Sequence, residues 1–237
     1  MEQYAIVPPE TKGQEDSDIP GHLFQVPFRL TVYGASASGK GVMLNNLIAS
    51  KRFPYRGVFK KNVFIFSETI SLGDPSFADL DYLTEDRFIK GYDEKVVAAI
   101  WDEQNEIIKK HGKPKAPHVL LVFDDTVTSI TSSPSSLLRK LFFQGRHSKI
   151  STIVTSQHYA ALPRSVRLNA DSSVVFDTNK KQAMTMADEQ AIETDAFIEI
   201  LRAATEEPYS FLVIMYKHPI ASRYQLRFTG KYYTIER

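Results

Sequence analysis

The sequence lacks several features that define specialised classes of protein. It contains no cysteine, which excludes disulfide bonds and thiolate metal sites, and its six dispersed histidines argue against a structural zinc site. Its longest apolar runs, 96–101 and 211–216, are far shorter than the roughly 20 residues of a membrane-spanning helix. The N-terminus has no basic and apolar leader, so we expect a protein that is neither secreted nor inserted in a membrane.

Acidic residues are missing from one long stretch, residues 126–170, although the net charge of the chain is only +1. The basic residues of that stretch are Arg139, Lys140, Arg146, Lys149, Arg164 and Arg167, and a second acid-free cluster holds Lys51, Arg52, Arg56, Lys60 and Lys61. Residues 1–27, by contrast, hold five acidic residues and one lysine. This segregation favours a polyanionic partner, and the alternative is a solvated basic face without a ligand.

The chain reads as an acidic, proline-containing arm over residues 1–27 and a single globular domain over residues 28–237. In the domain, strand-like and helix-like patterns alternate. Strands are predicted at 28–33, 62–66, 118–123, 152–155, 173–176, 209–216 and 222–228, and helices at 41–50, 92–111, 134–144 (with Ser133 as N-cap), 163–168, 180–188 and 194–204. The alternation predicts an α/β fold with a mostly parallel sheet, helices on both faces and an antiparallel pair of C-terminal edge strands.

A glycine-rich segment lies between the first predicted strand and the first predicted helix. Its residues are Gly34, Ala35, Ser36, Ala37, Ser38, Gly39, Lys40, Gly41 and Val42. A strand that ends in such a turn and opens a helix directs backbone N–H groups and the helix dipole at one anion, and Lys40 adds a charge for the β and γ phosphates. The segment therefore predicts a nucleotide-binding loop, with a chance match to the Gly-x4-Gly-Lys pattern as the alternative.

Two adjacent carboxylates, Asp124 and Asp125, end the apolar strand 118–123. Like charges this close raise each other's pKa unless a cation or hydrogen-bond donors lie beside them, and a Mg²⁺–nucleotide complex at the sheet edge is such a cation. We therefore assign Asp124 to the metal and Asp125 to the attacking water. The alternative is a solvated Asp-Asp turn.

These motifs, taken with 145–151 running into Thr155-Ser156-Gln157, resemble the poxvirus-type DNA-packaging ATPases of large double-stranded DNA viruses and virophages, within the FtsK–HerA superfamily. The resemblance covers roughly residues 28–176. It implies a RecA-like P-loop ATPase core in a homo-oligomeric ring of five or six subunits that uses ATP and Mg²⁺ to drive double-stranded DNA into a capsid at its portal vertex. It also implies a location in the virion or in a cytoplasmic virus factory.

The resemblance implies two more site residues. Gln157 would sense the γ-phosphate, with a strand-end amide bonded to backbone as the alternative. An arginine would reach the neighbouring subunit's nucleotide, an effect of about 10³- to 10⁵-fold on rate. Arg146 is the first choice, with Arg164 and Arg167 as rivals, and each of them is equally well explained as a DNA-phosphate contact or an ion pair.

Gly41 departs from the motif, because the residue after the loop lysine is usually Ser or Thr, whose hydroxyl contacts Mg²⁺. Mg²⁺ keeps several waters, so we expect a water at that position, weaker metal affinity and retained hydrolysis. Two other functions stay open at this point. A nucleotide-dependent scaffold would bind ATP without releasing phosphate, and a nucleoside kinase would be stimulated by a nucleoside instead of DNA.

Overall fold

The computed structural model describes residues 19–69, 75–126 and 136–234. The first 18 residues of the predicted arm and the predicted N-cap Ser133 lie outside these ranges. The strands are β1 Arg29–Tyr33, β2 Val63–Ser67, β3 Phe88–Lys90, β4 Val119–Asp124, β5 Ile150–Ser156, β6 Ser172–Phe176, β7 Phe211–Met215, β8 Tyr224–Leu226 and β9 Tyr232–Tyr233. The α-helices are α1 Lys40–Ala49, α2 Tyr55–Phe59, α3 Glu94–His111, α4 Ser136–Gln144, α5 Arg164–Arg167, α6 Lys180–Glu189 and α7 Thr194–Thr205.

The strands form one sheet in the order β3-β2-β4-β5-β1-β6-β7-β8-β9. Neighbours from β3 to β6 are parallel, and β7, β8 and β9 are added antiparallel. The predicted α/β fold, with a mostly parallel sheet and antiparallel C-terminal edge strands, is therefore confirmed. The sequence analysis did not find α2, β3 and β9, which have five, three and two residues.

Helices cover both faces of the sheet, as predicted. Leu120 and Val122 of β4 pack on the α1 side, whereas Leu121 and Phe123 pack on the opposite side with α3, α4 and α7. Both faces of the central strands are therefore buried, which accounts for the continuous apolar run in β4. Asp93 caps the N-terminus of helix α3, where its carboxylate accepts hydrogen bonds from two backbone N–H groups, and Gly112, with φ of 82°, follows the last residue of the helix.

Residues 19–27, the described end of the predicted arm, pack on the α1 side of the sheet. Leu23 and Phe24 are buried there, and the Phe24 backbone N–H donates to the Tyr55 hydroxyl at 2.7 Å. The Tyr55 hydroxyl in turn donates to the Phe24 carbonyl at 3.0 Å. Leu23 and Phe24 thus belong to the hydrophobic core on the α1 side of the sheet.

A buried ion pair joins β1 to the residue that precedes β6. The Arg29 guanidinium donates to both carboxylate oxygens of Asp171, at 2.9 and 2.7 Å, and the side chain of Lys217 also contacts this carboxylate. Burial alone would raise the pKa of Asp171, but the hydrogen bonds from Arg29 and Lys217 outweigh it and lower that pKa.

The basic residues of 126–170 do not form one surface in the described structure. Arg167 is buried and bound to Glu189, Lys149 is buried, and Lys140 lies 4.4 Å from the centre of the Trp101 ring. Arg139 and Arg146 are exposed. Charge along the sequence therefore does not report which side chains the fold buries, and the exposed arginines of this stretch are Arg139, Arg146 and Arg164.

Candidate nucleotide-binding site

Three neighbouring strands bring the predicted site residues to one edge of the sheet. Strand β5 lies between β1 and β4, and all three run parallel. The glycine-rich loop follows β1, the carboxylate pair ends β4 and Gln157 follows β5. Because the carboxyl ends of parallel strands meet at one edge, residues more than 100 positions apart in sequence line one site.

The loop between β1 and α1 has the backbone of an anion cradle. Ala37 and Gly39 have left-handed backbone angles, with φ of 59° and 101°, an alternation that turns successive N–H groups toward one volume. Gly34 must be glycine, because a Cβ there would lie 2.5 Å from the Ser38 hydroxyl and 2.8 Å from Phe176 Cβ. The Gly34 N–H donates to the Ser156 carbonyl at 3.2 Å, which fixes the start of the loop against β5.

Lys40 is the first residue of α1, and its side chain lies within the loop. The ammonium donates to the carbonyls of Gly34 at 2.8 Å and Ala35 at 3.0 Å, and only 6% of the residue is exposed. These bonds hold a positive charge at the base of the cradle. A phosphate there would gain a charged partner that the loop already positions.

Thr155 of β5 fixes the orientation of the carboxylate pair. Its hydroxyl donates to Asp124 Oδ1 at 2.8 Å and accepts from the Asp125 backbone N–H at 2.9 Å. Thr155 is fully buried. The sequence places Thr155 in a motif but does not indicate its role. That role follows from the pairing of β4 with β5.

Asp125 and Gln157 face each other across the same edge. Asp125 has φ of 48°, a left-handed conformation that aspartate tolerates better than most residues. The Gln157 amide Nε2 donates to Asp125 Oδ2 at 3.4 Å, so the described partner of this amide is a carboxylate and not a backbone group. The pair can orient a water between β4 and β5.

The polar residues at this edge suit a Mg²⁺ ion that is bound together with a nucleotide. Among the described residues, no three Asp, Glu, His or Cys side chains form a cluster suited to a metal ion. Asp124 supplies one carboxylate, and Mg²⁺ commonly takes one or two carboxylates together with waters and phosphate oxygens. The buried Ser38 hydroxyl has no hydrogen-bond partner among the described residues and lies against Gly34. Gly41 lines the pocket, whereas Ser38 does not.

A pocket of about 860 Å³ extends from the loop and the carboxylate pair to the C-terminal strands. Part of its lining is aromatic and was not predicted from the sequence, because the residues come from distant positions: Phe53, Tyr209, Phe211 and Phe228. Tyr209 is 73% exposed and has a left-handed backbone with φ of 61°. Arg227 also lines the pocket and is held by Ser210 at 2.9 Å and Glu207 at 2.8 Å. The pocket thus joins a phosphate cradle to flat apolar rings.

The predicted trans-acting arginine lies elsewhere. Arg146 is exposed in the turn before β5, at the edge of the sheet opposite the loop. Of its rivals, Arg164 is exposed and 3.8 Å from Glu189, whereas Arg167 is buried against the same carboxylate and over the Tyr159 ring. Arg167 therefore forms an internal ion pair with Glu189, and Arg146 does not reach the nucleotide pocket of its own subunit.

Comparison with known proteins gives three kinds of match. The model of the family described as Poxvirus A32 protein matches residues 20–224. The DNA packaging protein OPG160 of Variola virus is 26% identical over 176 residues, which cover 73% of this chain and 62% of that protein. OPG160 of Vaccinia virus (strain Copenhagen) is 26% identical over 168 residues, covering 70% and 58%. The chain thus spans about three fifths of the length of these curated relatives.

Solved structures share the fold. The genome packaging NTPase B204 from Sulfolobus turreted icosahedral virus 2, in complex with ATP-gammaS, is similar with a TM-score of 0.57 and 16% identity, covering 81% of this chain and 94% of that one. ATPases 2 and 3 of EssC from Geobacillus thermodenitrificans are similar with a TM-score of 0.56 and 13% identity, covering 80% and 38%.

Proposed function

The chain belongs to the Poxvirus A32 protein family, and from this premise we propose that it is an ATPase that moves double-stranded DNA into a viral capsid. The proposal rests on one observation: a phosphate cradle, a carboxylate pair and the Gln157 amide lie together at one edge of the sheet. The pocket at this edge is large enough for a nucleotide. The relatives, DNA packaging proteins OPG160 of Variola and Vaccinia viruses, support the DNA substrate.

Each residue of the edge has a proposed part in hydrolysis. Lys40 and the loop bind the β and γ phosphates, and the aromatic end of the pocket takes the base. Asp124, oriented by Thr155, would hold Mg²⁺ through water, and the bound ion would supply positive charge to the phosphoryl group. Asp125 orients and deprotonates the attacking water, and Gln157 contacts both that water and the γ-phosphate.

The assembly is part of the same proposal. Arg146 lies far from the pocket of its own subunit, so a role in hydrolysis requires a ring in which it meets the neighbour's nucleotide, and the alternative role is a contact with DNA phosphates. We propose a homo-oligomeric ring of five or six subunits that docks on the capsid or its portal vertex, in the virion or the virus factory. No helix among the described residues has the length and apolar character to cross a membrane.

Steady-state phosphate release, measured with and without double-stranded DNA, tests the proposal. We expect release that requires Mg²⁺, that DNA accelerates and that Lys40→Ala abolishes, with Lys51→Ala as a charge-matched control outside the pocket. ATP binding without release under every condition would favour a nucleotide-dependent scaffold. Release stimulated by a nucleoside but not by DNA would favour a kinase.

A further inference from the structure

The segments at the amino edge of the sheet are basic. The carboxyl edge is mixed, because it carries Asp124, Asp125, Asp177, Glu206 and Glu207 but also Lys40, Lys90, Lys180, Lys181 and Arg227. At the amino edge, the segments before β2, β4 and β5 and after β7 are basic: Lys60, Lys61, Lys113, Lys115, Arg146, His147, Lys149, Lys217 and His218. Acidic residues of the described segments at this edge are Asp171, which is ion-paired, and Glu85 and Asp86 before the outermost strand β3. The amino edge therefore carries an excess of positive charge, although the whole chain is nearly neutral.

The basic side contains a second cleft, of about 770 Å³, which we call the amino-edge cleft. Its walls come from residues 24–28, from the segment before β4, from the turn before β5 and from the residues after β7. Lys113, Arg146, Lys149 and Lys217 line it against a single carboxylate, Asp171. That carboxylate is shared by Arg29 and Lys217, so this group of three keeps one uncompensated positive charge, and Asp171 does not neutralise the exposed Lys113 and Arg146.

We propose that the amino-edge cleft binds the phosphodiester backbone of double-stranded DNA, an inference that rests on the proposed function. Exposed Lys113, Arg146 and Lys217 supply the charge, which suits a contact that neutralises phosphates without reading sequence. The described residues of the cleft include neither a glycine-rich loop nor a carboxylate pair, so the observations favour a polyphosphate chain over a second nucleotide with its metal.

The dimensions of the edge fit a duplex. The segments before β4 and after β7 are separated by four steps in the strand order, and neighbouring strands lie about 4.8 Å apart, so these segments are about 19 Å apart. The major groove of B-DNA is about 12 Å wide. Basic side chains on the two segments can therefore contact phosphates on both sides of one groove.

This placement also leaves the nucleotide pocket free. DNA would bind at the start of β5, next to Arg146, while Gln157 follows the end of the same strand in the nucleotide pocket. One seven-residue strand thus joins the two sites directly. Both ligands can be bound at once, as a motor requires.

The test compares two double variants that each remove two exposed lysines. Lys113→Gln with Lys217→Gln changes the cleft, and Lys180→Gln with Lys181→Gln removes the same charge at the N-terminal end of α6, outside the cleft. The affinity of the full chain for a random-sequence duplex is measured at several salt concentrations, and basal phosphate release is measured alongside. Thermal unfolding checks that both variants are folded.

We expect the cleft variant to bind DNA about tenfold or more weakly, with a log–log salt slope reduced by about 2, because each lost phosphate contact removes about 0.9. Basal phosphate release should stay at the parent level. Equal losses in the two variants, or parent-like affinity and slope in the cleft variant, would overturn the inference. Parent-like DNA binding with lost self-association would overturn it in favour of a subunit interface. If the parent binds DNA through the cleft but releases no phosphate, the proposed ATPase function fails and the inference stands.

Discussion

The hydroxyl of Thr155 donates a 2.8 Å hydrogen bond to Oδ1 of Asp124, across the boundary between β5 and β4. The Thr155 hydroxyl oxygen also accepts a hydrogen bond from the backbone N–H of Asp125 at 2.9 Å. A single buried side chain thus fixes the first carboxylate and the turn that carries the second. Thr155 acts on the reaction through these neighbours, as a positioning residue.

Thr155→Val keeps the shape of the side chain and removes both hydrogen bonds, so we expect turnover to fall about 10- to 100-fold, in the range seen when partners of metal ligands are removed. The Mg²⁺ concentration at half-maximal rate should rise, while nucleotide binding without metal should not change. Thr155→Ser should restore both quantities. A Val variant with lower stability but an unchanged Mg²⁺ requirement would assign Thr155 a structural role alone.

Asp125→Asn should preserve ATP binding and stop hydrolysis, because the amide has nearly the same shape and still accepts from Gln157 but cannot deprotonate water. Asp124→Asn should instead raise the Mg²⁺ requirement. Nucleotide titration and single-turnover phosphate release measure the two effects separately. Loss of binding in the Asp125 variant, with normal binding in the Asp124 variant, would reverse the two roles.

Gly41→Thr should lower the Mg²⁺ requirement, with turnover equal to or above that of the parent, because it restores the hydroxyl that usually follows the loop lysine. Gly41 is the second residue of α1 and is not among the residues with positive φ, so threonine fits its backbone. The measurement is the rate of phosphate release against Mg²⁺ concentration. Lower activity without tighter metal binding would mean that the added side chain clashes, and the idea of a water at this position would be abandoned.

The sequence was sufficient for the fold class and for most of the site, because these depend on local patterns. The strand, loop and helix around Lys40 and the apolar strand that ends at Asp124 are contiguous signals. The sequence alone does not show which strands are neighbours or which distant segments line the site. The contributions of Thr155, Tyr209 and Arg227 were therefore not predicted. The short elements β3 and β9 carry too few residues for a periodic pattern to emerge.

Charge was the least predictable property, because burial decides which charges matter. Arg167 and Arg146 belong to one acid-free stretch, yet Arg167 is enclosed with Glu189 while Arg146 is exposed beside a cleft. Arg29 and Asp171 are 142 positions apart in sequence, so their pairing follows from the adjacency of β1 and β6 and not from any motif.

Asp171→Asn should destabilise the fold at neutral pH by about 3 kcal/mol, because it leaves the buried Arg29 without its counter-charge. The folded-state pKa of Asp171 is lowered, so its stabilisation is present above the ordinary pKa of about 4 and is lost as pH falls through the folded value. The difference in unfolding free energy between parent and variant should therefore shrink at pH 3. Urea unfolding at pH 7 and pH 3 measures it, with the exposed Asp102→Asn as control. A pH-independent difference would contradict this account.

The central claim is that ATP hydrolysis at the pocket of Lys40 and Asp125 moves the protein along duplex DNA. Displacement of a third strand from a triplex at the end of a linear duplex measures that movement directly. We predict displacement that requires ATP and Mg²⁺, that stops with a non-hydrolysable ATP analogue and that is absent in Lys40→Ala. DNA-stimulated phosphate release without any displacement, or displacement that proceeds without ATP, would contradict the account.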